Sequence, residues 1–122
     1  MALNTPLVVE GIIHLVGVSS STPNATVYVQ IVDVSLADAP SIVVAEKVIP
    51  DFQIDIDGPA EIRFSISTSN LNRRANYALI AHIDVNGSGE ITQGDYLTME
   101  NFPVSPVGSR VWIPDVAARL VK

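Results

Sequence analysis

The chain has 122 residues, 48% of them hydrophobic and 16% charged, which fits one compact domain spanning residues 1–122. Its net charge of -6 disfavours binding to nucleic-acid phosphates or to anionic lipids. Because the chain contains no cysteine, disulfides, thiolate metal sites and cysteine nucleophiles are excluded.

The sequence contains no apolar run of the roughly 20 residues that a membrane-spanning helix needs. Its N-terminus, Met-Ala-Leu-Asn-Thr-Pro, lacks the basic start of a signal peptide. We therefore expect a soluble protein without a membrane span, cytoplasmic if Met1 is the native start and otherwise a mature periplasmic or envelope fragment. Nothing in the sequence indicates an oligomeric state.

Apolar runs separated by prolines and glycines predict a series of short strands. The first covers residues 7–16, and the next, residues 27–33, is apolar at nearly every position, as is typical of a central strand. A third strand is expected at residues 42–49. Residues 77–84 again have the continuous apolar character of a core strand.

Two segments near the middle of the chain, residues 52–57 and 61–67, alternate strictly between apolar and polar side chains. This period of two places one face of a strand in a core and the other in water. The turn signal Gly58-Pro59 between them predicts that they form a neighbouring pair. Their apolar members are Phe52, Ile54, Ile56, Ile62, Phe64 and Ile66.

Further strands are predicted around residues 90–99 and after Arg110, where Pro114 would sit at an edge or a bulge. Residues 114–122 also resemble a helix start, because proline suits the first helical position, so strand and helix both stay open there. The spacing of the strands predicts an all-β fold, an antiparallel two-layer sandwich of about seven or eight strands. The residues expected to point inward are Val27, Val29, Ile31, Ile62, Phe64, Ile66, Leu79 and Ile83.

Residues 84–95 match the calcium loop of an EF-hand at the ligand positions and at its central glycine. Short oxygen-bearing side chains recur at alternate positions, so that such a loop can wrap around one ion. The predicted calcium ligands are Asp84, Asn86, Ser88, the backbone carbonyl of Glu90, Thr92 and Asp95. Ile91 is expected to anchor this loop in the core.

Two features predict a calcium site of moderate to weak affinity. The last ligand is aspartate, which is shorter than the usual bidentate glutamate, and the flanking segments resemble strands instead of helices. The alternative interpretation is a plain hairpin turn, because Asn86-Gly87 is a favoured turn pair. Calcium binding is the preferred reading, since a turn does not explain the offsets of Asp84, Ile91 and Asp95.

No catalytic constellation or organic cofactor site is predicted, and we expect no enzymatic activity. His14 and His82 lack the further ligands that a zinc site needs, so they are interpreted as strand histidines bonded to their neighbours. The acidic residues at 51, 55, 57 and 61 are interpreted as a solvated strand face. A hydrolase would require a pocket with convergent titratable groups, which the sequence does not indicate.

Residues 33–40, Asp-Val-Ser-Leu-Ala-Asp-Ala-Pro, are followed closely by Val-Val-Ala-Glu-Lys-Val-Ile-Pro, and together these strings resemble the YbaY/YscW family. The resemblance extends from about Val9 to Pro103 and includes Arg-Arg-Ala-Asn-Tyr-Ala-Leu-Ile-Ala-His-Ile at residues 73–83. It implies a small β-sandwich related to bacterial lipoproteins and type III secretion pilot proteins, some of which assist outer-membrane localisation of a secretin ring. This sequence has no cysteine for lipidation.

These observations leave two main readings of function. The first is a non-enzymatic calcium-binding β-sandwich module with a protein or peptide partner. The second is a pilot-like chaperone that holds an apolar peptide of a secretion component against a sheet edge or cleft. The second reading predicts an exposed apolar groove.

Overall fold

The computed structural model describes residues 6–36, 38–69 and 71–122. Within these ranges the chain forms β-strands and loops and contains no helix. Residues 1–5, where we judged a signal peptide to be absent, and Ala37 of the family-like string lie outside the described residues. The strands are β1 (Leu7–Val16), β2 (Thr22–Asp33), β3 (Ile42–Ile54), β4 (Glu61–Thr68), β5 (Tyr77–Asp84), β6 (Tyr96–Thr98), β7 (Pro103–Val104) and β8 (Arg110–Leu120).

The strands belong to one continuous sheet with the order β3-β2-β5-β6-β8-β1-β4, and β7 pairs with β5. Neighbours are antiparallel except β1 and β8, which run parallel. The two end strands, β3 and β4, contact each other, although no ladder of backbone pairs joins them in the described residues. The all-β prediction is therefore confirmed, but the single sheet curls into a nearly closed barrel and is not clearly a two-layer sandwich.

The core lies inside this curled sheet because alternate residues of each strand point inward. On β4, for example, Ile62, Phe64 and Ile66 are buried while Arg63 and Ser65 are exposed. All eight residues predicted to point inward are buried. Gly11 of β1 faces Phe64, and a Cβ at this position would overlap the Ile113 carbonyl oxygen and the Phe64 ring.

The predicted pairing of residues 52–57 with 61–67 is wrong. Residues 52–54 are the end of β3, where Phe52 pairs with Ala25 of β2, and β4 pairs with β1 instead. The strand continues past Pro50 to Ile54, and at Asp51 the backbone is left-handed, with φ of 54°. The β2–β3 register shifts at the same place, as in a bulge.

The C-terminal half contains one correction and one confirmation. Of residues 90–99, only Tyr96–Thr98 is strand, because residues 85–95 form a loop with its own hydrogen bonds. The last strand runs through Leu120, so the strand interpretation of residues 114–122 is confirmed over the helix. Pro114 lies at a bulge, where the β1–β8 register shifts between the pairs Gly11–Ile113 and Ile13–Val116.

The described residues also contain no helix that is long and apolar enough to cross a bilayer.

Candidate functional site

The loop between β5 and β6, residues 85–95, closes around the carboxylate of Asp84. This side chain is 1% exposed. Its Oδ2 accepts a hydrogen bond from the amide of Gly89 at 2.8 Å, and its Oδ1 accepts one from the amide of Gly87 at 3.1 Å. Both glycines have a positive φ, 73° at Gly87 and 77° at Gly89, a conformation that is costly for other residues. Asp84 therefore organises the first half of the loop.

Asp95, which is fully buried, organises the second half. Its Oδ1 accepts a hydrogen bond from the backbone amide of Val85 at 3.0 Å, and its Oδ2 accepts one from the backbone amide of Thr92 at 3.1 Å. Nε2 of His82 lies 2.8 Å from the same Oδ2 and acts as the donor, because an ionised carboxylate only accepts. The His82 ring in turn stacks on Tyr28, with ring centroids 5.8 Å apart.

The pKa of Asp95 results from opposing effects. Burial raises the pKa, whereas the hydrogen bonds from His82, Val85 and Thr92 and the charge of His82 lower it. The net pKa lies below the ordinary value of 3.8. Asp95 is therefore an ionised, internally bonded carboxylate at neutral pH.

The remaining predicted calcium ligands lie in the same loop. Asn86 Nδ2 donates to Thr92 Oγ1 at 2.9 Å, and the hydroxyl of Ser88 donates to the carbonyl oxygen of Glu90 at 3.0 Å. Ile91, which we expected to anchor the loop in the core, is instead 55% exposed, so that expectation is wrong.

The hydrogen bonds of Asp84 and Asp95 provide a structural reason for carboxylates at both ends of the loop. Asp84 accepts amides of the turn, and both Asp95 oxygens accept hydrogen bonds from within the protein. In the described residues, no group of three or more histidine, cysteine, aspartate or glutamate side chains is placed to hold a metal ion. Calcium binding by this loop stays a prediction, and its strongest competitor is this amide-capping role.

The two histidines are bonded to their neighbours, as predicted. His14 Nε2 lies 2.8 Å from the carbonyl oxygen of Pro114, and His82 bonds Asp95. The sequence does not identify Asp95 as the partner of His82, because the two residues are 13 positions apart. The acidic residues at 51, 55, 57 and 61 are exposed, in agreement with a solvated surface.

A second candidate site lies at the start of β3, the end strand of the sheet. We call residues Ile42, Val43, Val44 and Ala45 the apolar edge. The first three are 63%, 48% and 38% exposed, whereas Ala45 is half-buried and packs against the core. One side of this strand pairs with β2, and no backbone ladder covers the other side among the described residues. The apolar edge therefore combines exposed apolar side chains with an unpaired strand backbone.

A shallow groove lies close to this edge. Its volume is about 460 Å³, and its lining includes Val34, Tyr77, Pro103 and Pro106. Val34 follows Asp33, which pairs with Ile42 on one side and Tyr77 on the other, so the groove and the apolar edge lie at the same end of β2. Leu36, in the loop that joins β2 to β3, is also largely exposed.

Sequence reasoning assigned residues 42–49 to a strand but did not identify the apolar edge as a site. The run Ile-Val-Val-Ala has the same character as the buried strand β5, and only strand order distinguishes the two. The sequence does contain one local indication of a surface there. The first lysine or arginine of the chain is Lys47, so acidic residues are the only charged side chains that precede the apolar edge.

Comparison with known proteins gives a family and a fold. A family model described as "Type III secretion system lipoprotein chaperone (YscW)" matches residues 7–101. The solved structure of an alternative pilotin from the type II secretion system of Vibrio cholerae is similar to this chain, with a TM-score of 0.73 and 21% sequence identity. That similarity covers 96% of this chain and 98% of the pilotin chain, and at such low identity it shows the fold alone. No curated protein matches the chain.

Proposed function

The chain belongs to the YscW family of type III secretion system lipoprotein chaperones, and we propose that it acts as a pilot-like chaperone for a protein component of a secretion system in the bacterial envelope. The resemblance inferred from residues 33–50 agrees with this family. A chaperone description also agrees with the expectation of a non-enzymatic protein. The pilot-like reading replaces the calcium-binding module as the main function.

The observation that carries the proposal is the family match over most of the chain. The exposed apolar surface at the start of β3 supports it, since a chaperone needs apolar surface that its own fold leaves uncovered. The fold shared with a type II secretion pilotin is consistent with the same kind of role. A secretin ring subunit is the partner that the family resemblance suggests.

The proposal is tested by deleting the gene in the source bacterium and fractionating its membranes. If the chain is a pilot, the deletion should lower the amount of the secretion-system ring subunit in the outer-membrane fraction and raise its amount in the inner-membrane fraction. Expression of the full-length gene should restore the distribution. An unchanged distribution in the deletion strain, with the ring subunit present, would contradict the proposed function.

Calcium binding by residues 84–95 is a separate and secondary proposal. It rests on the oxygen atoms of Asp84, Asn86, Ser88, Glu90, Thr92 and Asp95, which all belong to one compact loop. A bound ion would stabilise the folded state by mass action, so millimolar calcium should raise the melting temperature. Magnesium should have less effect because it demands a smaller octahedral shell. If calcium leaves the melting temperature unchanged, the loop is held by its amide hydrogen bonds alone.

A further inference from the structure

The two halves of β3 differ in how they protect the unpaired side of the strand. The second half carries Glu46, Lys47 and Pro50, followed by Asp51 in a left-handed conformation. Charges, proline and irregular backbone are the usual means by which proteins prevent another strand from pairing with a free edge. The apolar edge, Ile42 to Ala45, has no charged residue and no proline, and its backbone irregularity is confined to Val44, where the β2–β3 register shifts between the pairs Ile31–Ala45 and Val32–Val43. The apolar edge therefore offers a short stretch of strand, with one bulge, whose outer side no charge or proline protects.

The charges around the apolar edge indicate what could pair with it. Glu46 follows it directly, Asp38 lies in the loop before it, and Asp33 lies opposite Ile42 on β2. The chain has no lysine or arginine before Lys47, and its net charge is -6. The exposed Arg73 and Arg74 precede β5, which β2 separates from β3. Lys47 lies on the same strand two residues after Ala45, so the three carboxylates of Asp33, Asp38 and Glu46 outnumber the basic side chain of β3, and this excess favours a basic ligand.

From this combination we infer that the apolar edge binds an extended apolar peptide segment flanked by basic residues, which adds to the sheet as a strand beside β3. The backbone of the segment would form main-chain hydrogen bonds with Ile42 to Ala45, and its apolar side chains would cover theirs. Its basic flanks would lie near Asp38 and Glu46. This inference rests on the proposed function only in naming a secretion component as the natural source of the segment.

The test uses a synthetic peptide of about eight residues, the length of an ordinary strand, with alternating valine and threonine and lysines at both ends. Matched peptides carry glutamates at the ends or a proline in the centre. Binding to the purified chain is measured by fluorescence anisotropy, and the contact region is located by amide hydrogen exchange. We expect the lysine-flanked peptide to bind most tightly and to protect the amides of residues 42–45.

The variant Val44→Lys introduces a charge of the kind that blocks edges and should weaken peptide binding by about tenfold or more. Its control is Ser65→Lys, which places the same side chain on an exposed position of the other end strand, β4, and should leave binding within about twofold. Circular dichroism checks that both variants are folded. If either variant is unfolded, Val43→Thr and Ser67→Lys replace the pair.

Three results would overturn the inference: no preference of the parent for the lysine-flanked peptide, protection confined to β4 or to the groove at Val34, or equal binding by Val44→Lys and the parent. These results leave the membrane fractionation experiment unaffected, because it measures the ring subunit without any synthetic peptide. A failed peptide test with a positive fractionation result would mean that the chain is a pilot that binds its partner elsewhere.

Discussion

The two end strands of the sheet contain similar apolar residues in opposite surroundings. On β4, Ile62, Phe64 and Ile66 alternate with polar residues and lie inside the barrel. At the start of β3, Ile42, Val43 and Val44 are consecutive and exposed. The first set removes apolar surface from water during folding, which is the dominant favourable contribution to stability. The second set buries less apolar surface and contributes less to folding, as the proposed binding role requires.

The largest expected effect on stability comes from a substitution of a buried residue on β4. Phe64→Ala should lower the free energy of unfolding by about 3 to 5 kcal/mol, since it removes a buried ring beside Gly11. Val44→Ala on β3 should lower it by less than about 1 kcal/mol because the side chain is exposed. Urea denaturation of both variants measures the difference. Equal losses would mean that the two end strands contribute alike to the fold.

The loop between β5 and β6 allows the same contrast between a buried and an exposed residue to be tested with polar side chains. Asp95→Asn should lower the free energy of unfolding by about 1 to 3 kcal/mol, because its NH2 group donates and cannot accept. Either the Val85 amide at Oδ1, or the Thr92 amide and His82 at Oδ2, would then lose its acceptor. Asp38→Asn, in the exposed loop before β3, is the control and should change stability by less than about 0.5 kcal/mol. Thermal melts with a chelator present exclude a contribution from metal ions. An unchanged free energy of unfolding in Asp95→Asn would show that these hydrogen bonds do not stabilise the fold.

The lowered pKa of Asp95 predicts a smaller effect, visible only in acid. A carboxyl group with a lower pKa in the folded than in the unfolded protein stabilises the fold above its unfolded pKa, here about the ordinary value of 3.8. This contribution is lost as the pH falls through the folded pKa, which lies below 3.8. The stability difference between the parent and Asp95→Asn should therefore shrink as the pH is lowered through this window. A difference that stays constant down to about pH 2 would contradict the assignment.

Most of the fold was predictable because alternation and continuous apolar runs report local burial. The bounds of β1 and the inward residues of β4 and β5 follow from these patterns. The pairing of β4 was not predictable from its neighbour along the chain, because β1 is its partner and β3 continues past Asp51. Strand order is a tertiary property, and the exposure of Ile42 to Val44 depends on it.

In the loop between β5 and β6, too, only the local features were predictable from the sequence. The sequence located the six oxygen-bearing residues of the loop, whose spacing is a local property. It did not reveal that Asp95 bonds His82, a contact across 13 residues, or that Ile91 points into solvent. Both depend on how the loop packs against β5 and β6.

The variant Val44→Lys combines a small expected effect on stability with the largest expected effect on peptide binding. Val44→Lys should change the free energy of unfolding by less than about 1 kcal/mol, because the side chain is exposed on an end strand. Urea denaturation measures this change, with Ser65→Lys as the matched variant on β4. A large loss of stability in Val44→Lys would mean that the apolar edge supports the fold, and the contrast between the end strands would disappear.

The most direct test of the central claim joins this edge to the proposed function in cells. The deletion strain is complemented with the parent gene, Val44→Lys or Ser65→Lys, and the outer-membrane fraction of the secretin ring subunit is measured at equal expression. The account predicts that the parent and Ser65→Lys restore outer-membrane localisation, whereas Val44→Lys resembles the deletion strain. Full restoration by Val44→Lys would contradict the claim that the chain acts as a pilot through the apolar edge of β3.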